Sequence, residues 1–436
     1  MHLSIKSLIK NASYLLVGTF GNMAISLLHN ILVARALGSS NLGIWASVVS
    51  FCTIVQGILT FRTKEALTRY LVEYKTSNNK NFINNLLATA SLIDLITNFA
   101  SFLVIIIVAT WGMEKLVPIG EKYTILYWIY GLSITLNFID NLWYCVARDT
   151  RKLNKLAALR LVFISLQLLA SFILYLFEIL NLQSLSLIIL LISFLKLLVV
   201  SYTLNLEVRR NYQIVLWKLP WKNVWQNRRD LKGFWLFMKA TYVSFIFSTL
   251  FKRGDILILS YFSNTSDVGI YQIAKSISQL VKTIVQQFSS VIYQDFNEMI
   301  SHNKINNISR DIKALLKIWI PVVLSLMLVC ALLSKPIIIL LYGEEFGASY
   351  QIFIILLIGS FVVASSFWVQ PVLLAFDKYS YNSKVVSIGS VFGIVLIIIF
   401  TNYCNSIGTS AAVSLGYLFI QGLLTYKALI IFSSHS

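Results

Sequence analysis

Apolar runs of about 18 to 25 residues recur from one end of this chain to the other, each long enough to cross ~30 Å of hydrocarbon as a helix. Runs such as Phe102 to Ala109 and Val391 to Phe400 do not alternate apolar and polar positions. The strands of a membrane barrel, which face lipid and lumen in turn, are therefore excluded. Composition agrees, because 57% of the 436 residues are hydrophobic and only 12% are charged, whereas a soluble domain carries about a quarter charged residues. The sequence predicts an all-α membrane protein.

Breaking the chain at its polar and Pro/Gly-containing punctuation predicts about twelve transmembrane helices. They lie near residues 11–36, 41–61, 84–110, 123–147, 156–178, 183–206, 233–261, 267–296, 314–334, 349–376, 384–402 and 407–430. The first run follows Lys6 and Lys10 as a signal peptide would. It is too long for a cleaved h-region and carries Asn22, Ser26 and His29, so it is expected to remain as the first helix. Cys52, Cys145, Cys330 and Cys404 lie far apart, mostly within apolar runs, and read as small hydrophobes without metal-ligand spacing.

Lys and Arg set the orientation. With the N-terminus inside, the inner segments hold Lys6 and Lys10, then Arg62, Lys64, Arg69, Lys75 and Lys80, then Arg148, Arg151, Lys152, Lys155 and Arg160. The outer loops hold Arg35, Lys115, Lys122 and Lys335 alone. Both termini are thus expected on the cytoplasmic side, and the net charge of +18 reflects topology; no nucleic acid partner is expected, since no clustered basic block or binding motif is present. Trp217, Trp221 and Trp225, with Lys218, Lys222, Arg228 and Arg229 nearby, describe a segment at the inner membrane surface, either an anchor between two halves or a binding element. Pro220 interrupts it as a helix.

A weak echo relates the two halves. Ala12-Ser13-Tyr14 matches Ala240-Thr241-Tyr242, and Gly43-Ile44-Trp45 matches Gly269-Ile270-Tyr271. Two matches at nearly one offset suggest a duplicated six-helix unit. The expected organisation is an N-terminal bundle over 1–206, a basic, Trp-containing interfacial linker over 207–232 and a C-terminal bundle over 233–436.

Ionisable side chains at bilayer depth cost at least about 2.5–3.5 kcal/mol on insertion scales and normally face a bundle interior or a water-filled cavity. The basic set is Lys196, Lys252, Arg253, Lys275 and Lys282, and the acidic set is Asp94, Asp140 and Asp255. In the span 267–296, Lys275, Gln279, Lys282 and Gln286 share one helical face. That stripe suits a ligand with phosphate oxygens beside sugar hydroxyls, because Lys supplies charge while Gln donates and accepts; the alternative is an amphipathic helix lying partly in the interface. Asn137, Asp140, Asn141 and Tyr144 form a second stripe, and Asn22, Ser26 and His29 a third. Each reads either as cavity lining or as polar packing between helices. Lys252 and Asp255, three residues apart, are expected to pair and leave Arg253 on another face. Asp94 and Asp140 are candidate ion-coupling residues. No GxSxG, HExxH or P-loop motif occurs, so the chain is read as a carrier and not an enzyme, with no metal or other cofactor expected.

The stretch Val33-Ala-Arg-Ala-Leu-Gly-Ser-Ser-Asn-Leu-Gly-Ile-Trp45 resembles the A-R-x-L-G-x-x-x-F/L-G-x-Y/W signature of Wzx-type bacterial polysaccharide (O-antigen) flippases. These belong to the superfamily that also holds the multidrug extruders and the peptidoglycan-precursor flippase. Ser39-Ser40 stands where Pro-Glu is common in that signature, and Leu42 where Phe is common. The resemblance implies two six-helix bundles around a central cavity in the bacterial inner membrane. It also implies an undecaprenyl-diphosphate-linked oligosaccharide as substrate, an O-antigen or capsule repeat unit moved by alternating access. A polysaccharide polymerase and a chain-length regulator would be partners, together with membrane lipid. Arg35 is the motif cation that this resemblance carries over, either as a substrate contact or as a structural residue. Two other readings compete, a drug or cation extruder of the same fold and a membrane glycosyltransferase or polysaccharide polymerase. The excess of cations over acids at membrane depth favours an anionic substrate over a cationic one.

Overall fold

A computed structural model describes residues 5–76, 80–112, 123–216, 231–301 and 305–433. The linker tryptophans, the side chains of Ala12 to Tyr14 and the side chain of Gln286 lie outside the described residues. Each predicted span is helical over most of its length. In chain order the helices are α1 (Ile5–Leu59), α2 (Thr63–Thr76), α3 (Lys80–Trp111), α4 (Thr124–Thr135), α5 (Asp140–Asp149), α6 (Leu153–Leu176) and α7 (Leu182–Tyr212). They continue as α8 (Lys232–Phe262), α9 (Thr265–Ser301), α10 (Ile305–Tyr342), α11 (Ser349–Ser365), α12 (Val369–Ala375) and α13 (Tyr379–Ser433). Among the described residues, eight helices are long and apolar enough to cross a membrane unaided, and α1 and α13 each contain two predicted spans. The first pair hinges at Gly38 (φ 72°, ψ 173°) and the second at Cys404 and Asn405 (φ 46°). Hydrocarbon offers backbone groups no partner, so helices that satisfy their own hydrogen bonds are the expected solution.

Three features depart from the expected pattern. The segment after residue 61, expected on the inner side, forms a helix, α2, whose Ala66, Leu67 and Leu71 are buried on one side of an otherwise polar sequence, an amphipathic spacing that hydropathy alone does not detect. The span 123–147 is broken by a turn at Leu136–Ile139, and the span 349–376 by one at Ser366–Trp368. These breaks fall at matching places in the two halves of the chain, as expected of a repeat.

The chain divides into two compact units. One comprises residues 33–47 with 250–433 and the described part of 1–24; the other comprises 25–32 with 48–249. The first packs around Ile256, Leu259, Tyr271, Ile352, Leu356 and Ile397, the second around Leu67, Leu86, Leu142, Trp143, Leu204 and Phe234. Large apolar side chains remain exposed on many helices, among them Leu187, Leu191 and Leu198 on α7 and Leu324, Leu328 and Leu332 on α10. A soluble monomer rarely shows so much contiguous apolar surface; here it is the lipid-facing side.

Within the first unit the sequence echo has a physical counterpart. The N-terminal turn of the second half of α1 crosses the N-terminal turn of α9. The Oγ atoms of Ser39 and Ser266 are 2.7 Å apart, and Ser40 Oγ lies 2.7 Å from Thr265 Oγ1. A Cβ on Gly43 would lie 1.8 Å from the Thr265 carbonyl oxygen, and one on Gly269 would lie 2.0 Å from that of Ser39. Each of these contacts is the image of the other under the offset that relates Gly43 to Gly269. The repeat also explains Gly38. Its counterpart Asn264 caps α9, with Oδ1 accepting from Asp267 N at 2.8 Å. Gly38 has no side chain to do this for the second half of α1, and Glu345 Oε1 accepts from Ser39 N at 2.8 Å instead, a carboxylate at a helix N-terminus.

Gly43→Ala is expected to destabilise the protein by about 2 kcal/mol or more, because the added methyl overpacks a backbone crossing. Ser40→Ala, which removes one exposed hydrogen bond, should cost about 1 kcal/mol or less. Thermal unfolding of the two variants in detergent checks the order.

Candidate functional site

Helices α8, α9, α11 and α13 of the first unit enclose a cavity of about 310 Å³. Lys252, Arg253, Lys275 and Lys282 line it together with, among the described residues, a single carboxylate, Asp255. Lys275 and Lys282 of the predicted stripe on α9 are thus brought into one space, with Gln279 between them. The Gln286 side chain is outside the described residues.

The charged groups are not equivalent. Lys275 is 8% and Asp255 1% exposed. Lys275 Nζ donates to Asp255 Oδ1 at 2.6 Å and to the Lys252 carbonyl oxygen at 3.0 Å. The other carboxylate oxygen accepts from Tyr271 OH at 2.7 Å, and Oδ1 also accepts from the Ile256 amide at 2.9 Å. The expected pairing of Lys252 with Asp255 is corrected: the carboxylate pairs across helices with Lys275. The interhelical partner wins because α9 presents both Lys275 and, one turn earlier, Tyr271 to the same carboxylate. Lys282 has a different environment. Its ammonium lies 3.9 Å from the centroid of the Tyr417 ring, a cation–π contact, and Phe251 meets the same ring edge-on at 5.3 Å. Among the described residues no carboxylate pairs with Lys282 or Arg253. Tyr417 and Phe251 were not singled out from the sequence, where lone aromatics in apolar runs carry no signal. Tyr271 enters the sequence reading only through the echo Gly269-Ile270-Tyr271, not as a site residue.

The second unit holds the other polar candidates in two clusters. Asp94, 2% exposed, accepts from Thr63 Oγ1 at 2.6 Å and from Asn141 Nδ2 at 3.3 Å. Thr63 opens α2 and Asn141 lies in the first turn of α5, so this carboxylate faces two helix N-termini. Asn98 donates to the Asp94 carbonyl oxygen at 2.7 Å and accepts from Gln56 at 2.7 Å. Asp140 pairs with Lys196, whose ammonium also donates to Asn137 Oδ1 at 2.9 Å. The stripe of Asn137, Asp140, Asn141 and Tyr144 is therefore divided: Asn141 joins Asp94, and Tyr144 lies under Lys64 at 3.9 Å. His29 hydrogen-bonds Ser171 at 3.1 Å, a packed histidine.

Arg35 does not line the cavity of the first unit. Its Nε donates to the Leu341 carbonyl oxygen at 2.7 Å and its guanidinium also reaches that of Leu340. It caps the C-terminus of α10, where the last carbonyls have no helical partner and a cation is favoured.

No family model matches this sequence, and no curated protein matches it. Solved structures do. An inward-facing multidrug resistance MATE family transporter of the MOP superfamily matches with a TM-score of 0.77 at 12% identity, over 95% of each chain. The lipid II flippase MurJ in an inward closed conformation matches with a TM-score of 0.70 at 17% identity, over 94% of this chain and 86% of that one. A MOP superfamily transporter from Pyrococcus furiosus, described by the reverse polarity of its binding pocket, matches with a TM-score of 0.68 at 12% identity, over 98% and 96%. The chain has the fold of these transporters.

Asp255→Asn is expected to lower stability by about 3–5 kcal/mol, because it leaves the Lys275 ammonium buried without its counter-charge. Asp255→Asn combined with Lys275→Gln should recover part of the loss, and unfolding of the single and double variants in detergent measures the coupling.

Proposed function

We propose that this protein is a flippase that carries a lipid-linked oligosaccharide across the bacterial inner membrane by alternating access, with a diphosphate as the group held in the protein. The observation that carries this reading is the sign of the first unit's cavity, four cationic side chains against one carboxylate. The carboxylate is already engaged by Lys275 and Tyr271. Lys282 and Arg253 are then the contacts offered to phosphate oxygens, and Gln279 the group offered to sugar hydroxyls. Lys275 also faces the cavity but is held by Asp255, so its part is to set the site's charge and shape.

The fold supports a carrier, and the likeness to MurJ supports a lipid-linked substrate. The undecaprenyl carrier, the O-antigen or capsule identity of the sugar and the cytoplasmic placement of both termini rest on the resemblance and the distribution of basic residues. Asp94 is the coupling candidate in the second unit, since its partners are neutral donors, whereas Asp140 is engaged by Lys196. The likeness to MATE transporters favours a second reading, export of organic cations, but the cavity's positive sign opposes it.

Lys282→Gln is expected to reduce surface polysaccharide export about tenfold or more with protein abundance unchanged, since a charge-assisted contact is worth about 1.5–3 kcal/mol. Lys282→Arg should retain a substantial part. Lipid-linked units should accumulate at the inner leaflet of a deletion strain. Export at the unsubstituted rate by Lys282→Gln and Arg253→Gln together would remove the phosphate assignment. Sugar-chain extension by the purified protein would instead establish a polymerase.

A further inference from the structure

The second unit contains another cavity, of about 410 Å³, that the transport reading does not use. It lies between α2 and the C-terminal turn of α5, floored by Leu71 and Cys145 and bordered by Arg69, Arg148 and Arg151. Three guanidiniums therefore border one concave space. Arg69 is positioned by aromatic faces, with its guanidinium carbon 5.7 Å from the Tyr70 ring centroid and 5.5 Å from that of Phe237. Arg148 and Arg151 have no carboxylate partner among the described residues. Asp149, the one acidic residue of the lining among the described residues, accepts from Tyr212 OH at 2.5 Å.

The contrast with the neighbouring cations is informative. Lys152 and Lys155 lie in the same stretch of chain, and both are paired with Glu207, which is buried at 3% exposure. Among the described residues the fold thus supplies a counter-charge for two cations of this region and shows no carboxylate ion-paired with the three arginines around the cavity. Like charges around one concave space repel one another, and the arrangement becomes favourable when an anion enters. Guanidiniums match the oxygens of a phosphate in pairs, which selects this anion over a point charge such as chloride.

We propose that this cavity binds a phosphate group, supplied by the headgroup of an anionic membrane lipid. All three arginines fall in segments that the basic-residue pattern places on the cytoplasmic side, where anionic headgroups and basic pockets between helices meet. The lipid source rests on that orientation; the phosphate chemistry does not. Residues Lys252, Arg253, Lys275 and Lys282 have no part in it, so the site stands apart from the proposed substrate cavity.

The test is native mass spectrometry of the full chain in detergent, titrated with phosphatidylglycerol, phosphatidylcholine or inorganic pyrophosphate. Preferential retention of phosphatidylglycerol over phosphatidylcholine is expected. Arg148→Gln combined with Arg151→Gln should reduce that preference about tenfold or more, since two of the three guanidiniums facing the headgroup are removed. Arg148→Lys with Arg151→Lys should keep part of the binding while losing the paired geometry. Both positions are exposed, and a thermal unfolding curve for each variant separates loss of the site from loss of the fold. Retention of pyrophosphate, lost in the Gln variant, would support the phosphate chemistry and assign it to a soluble source if phosphatidylglycerol showed no preference. Equal retention of both lipids with no pyrophosphate binding would overturn the proposal, as would unchanged binding by a folded Gln variant. None of these readouts depends on transport, so failure of the flippase reading would leave the result intact.

Discussion

A charge taken into hydrocarbon needs a partner or a cavity, and that requirement organises the interior of both units. In the second unit Lys196 satisfies it with Asp140 and Asn137. In the first, Asp255 gathers the Lys275 ammonium, the Tyr271 hydroxyl and its own chain's Ile256 amide. A carboxylate with that many donors costs far less to bury than a bare one, since hydrogen bonds and counter-charge replace the water it has lost. The pair also ties α8 to α9 at the cavity wall. What remains facing the open space is cationic, and the site's sign follows from how the one acid is used.

The architecture was legible to the extent that it depends on apolar length. The predicted spans follow from where polar residues interrupt the apolar runs, and the repeat from the echo of Gly43-Ile44-Trp45 in Gly269-Ile270-Tyr271; the hinges at Gly38 and at Cys404 and Asn405 carry no such signal. The helix α2 was not legible in hydropathy because its buried residues, Ala66, Leu67 and Leu71, alternate with Lys64, Glu65, Arg69 and Glu73. The turn at Leu136–Ile139 was hidden for the opposite reason: an apolar stretch can break its helix without any glycine or proline, provided neighbours take up the released groups. The turn itself does so, with Asn137 N donating to the Ile134 carbonyl oxygen at 3.1 Å and Phe138 N to that of Thr135 at 3.2 Å, and Gln56 adds a longer contact to Ile134 at 3.4 Å.

The candidate site shows a sharper boundary between what sequence carries and what it does not. Helical periodicity placed Lys275, Gln279 and Lys282 on one face, because that relation lies within one element. Lys252 was assigned to Asp255 by the same local rule, and there the rule failed. A pairing between helices depends on which faces meet, and no spacing along one chain segment encodes that. Arg35 is the same case. Its motif position identified it as a residue of interest, yet its role at the end of α10 comes from a contact more than three hundred positions away in the chain.

The polarity of α9 poses a final constraint. It is not among the helices apolar enough to cross a membrane unaided, so its place at bilayer depth must come from contacts with its neighbours. Several are present. Ser278 Oγ lies 3.0 Å from Ser360 Oγ on α11, Ser349 Oγ donates to the Ile270 carbonyl oxygen at 2.8 Å, and the Gly43 to Gly269 crossing holds its first turn against α1. Small residues permit this close approach, and interhelical hydrogen bonds add to it. A helix held by its neighbours rather than by lipid can carry two lysines and a glutamine into the interior. The polar stripe and the small-residue contacts are therefore two parts of one arrangement, the second making the first tolerable.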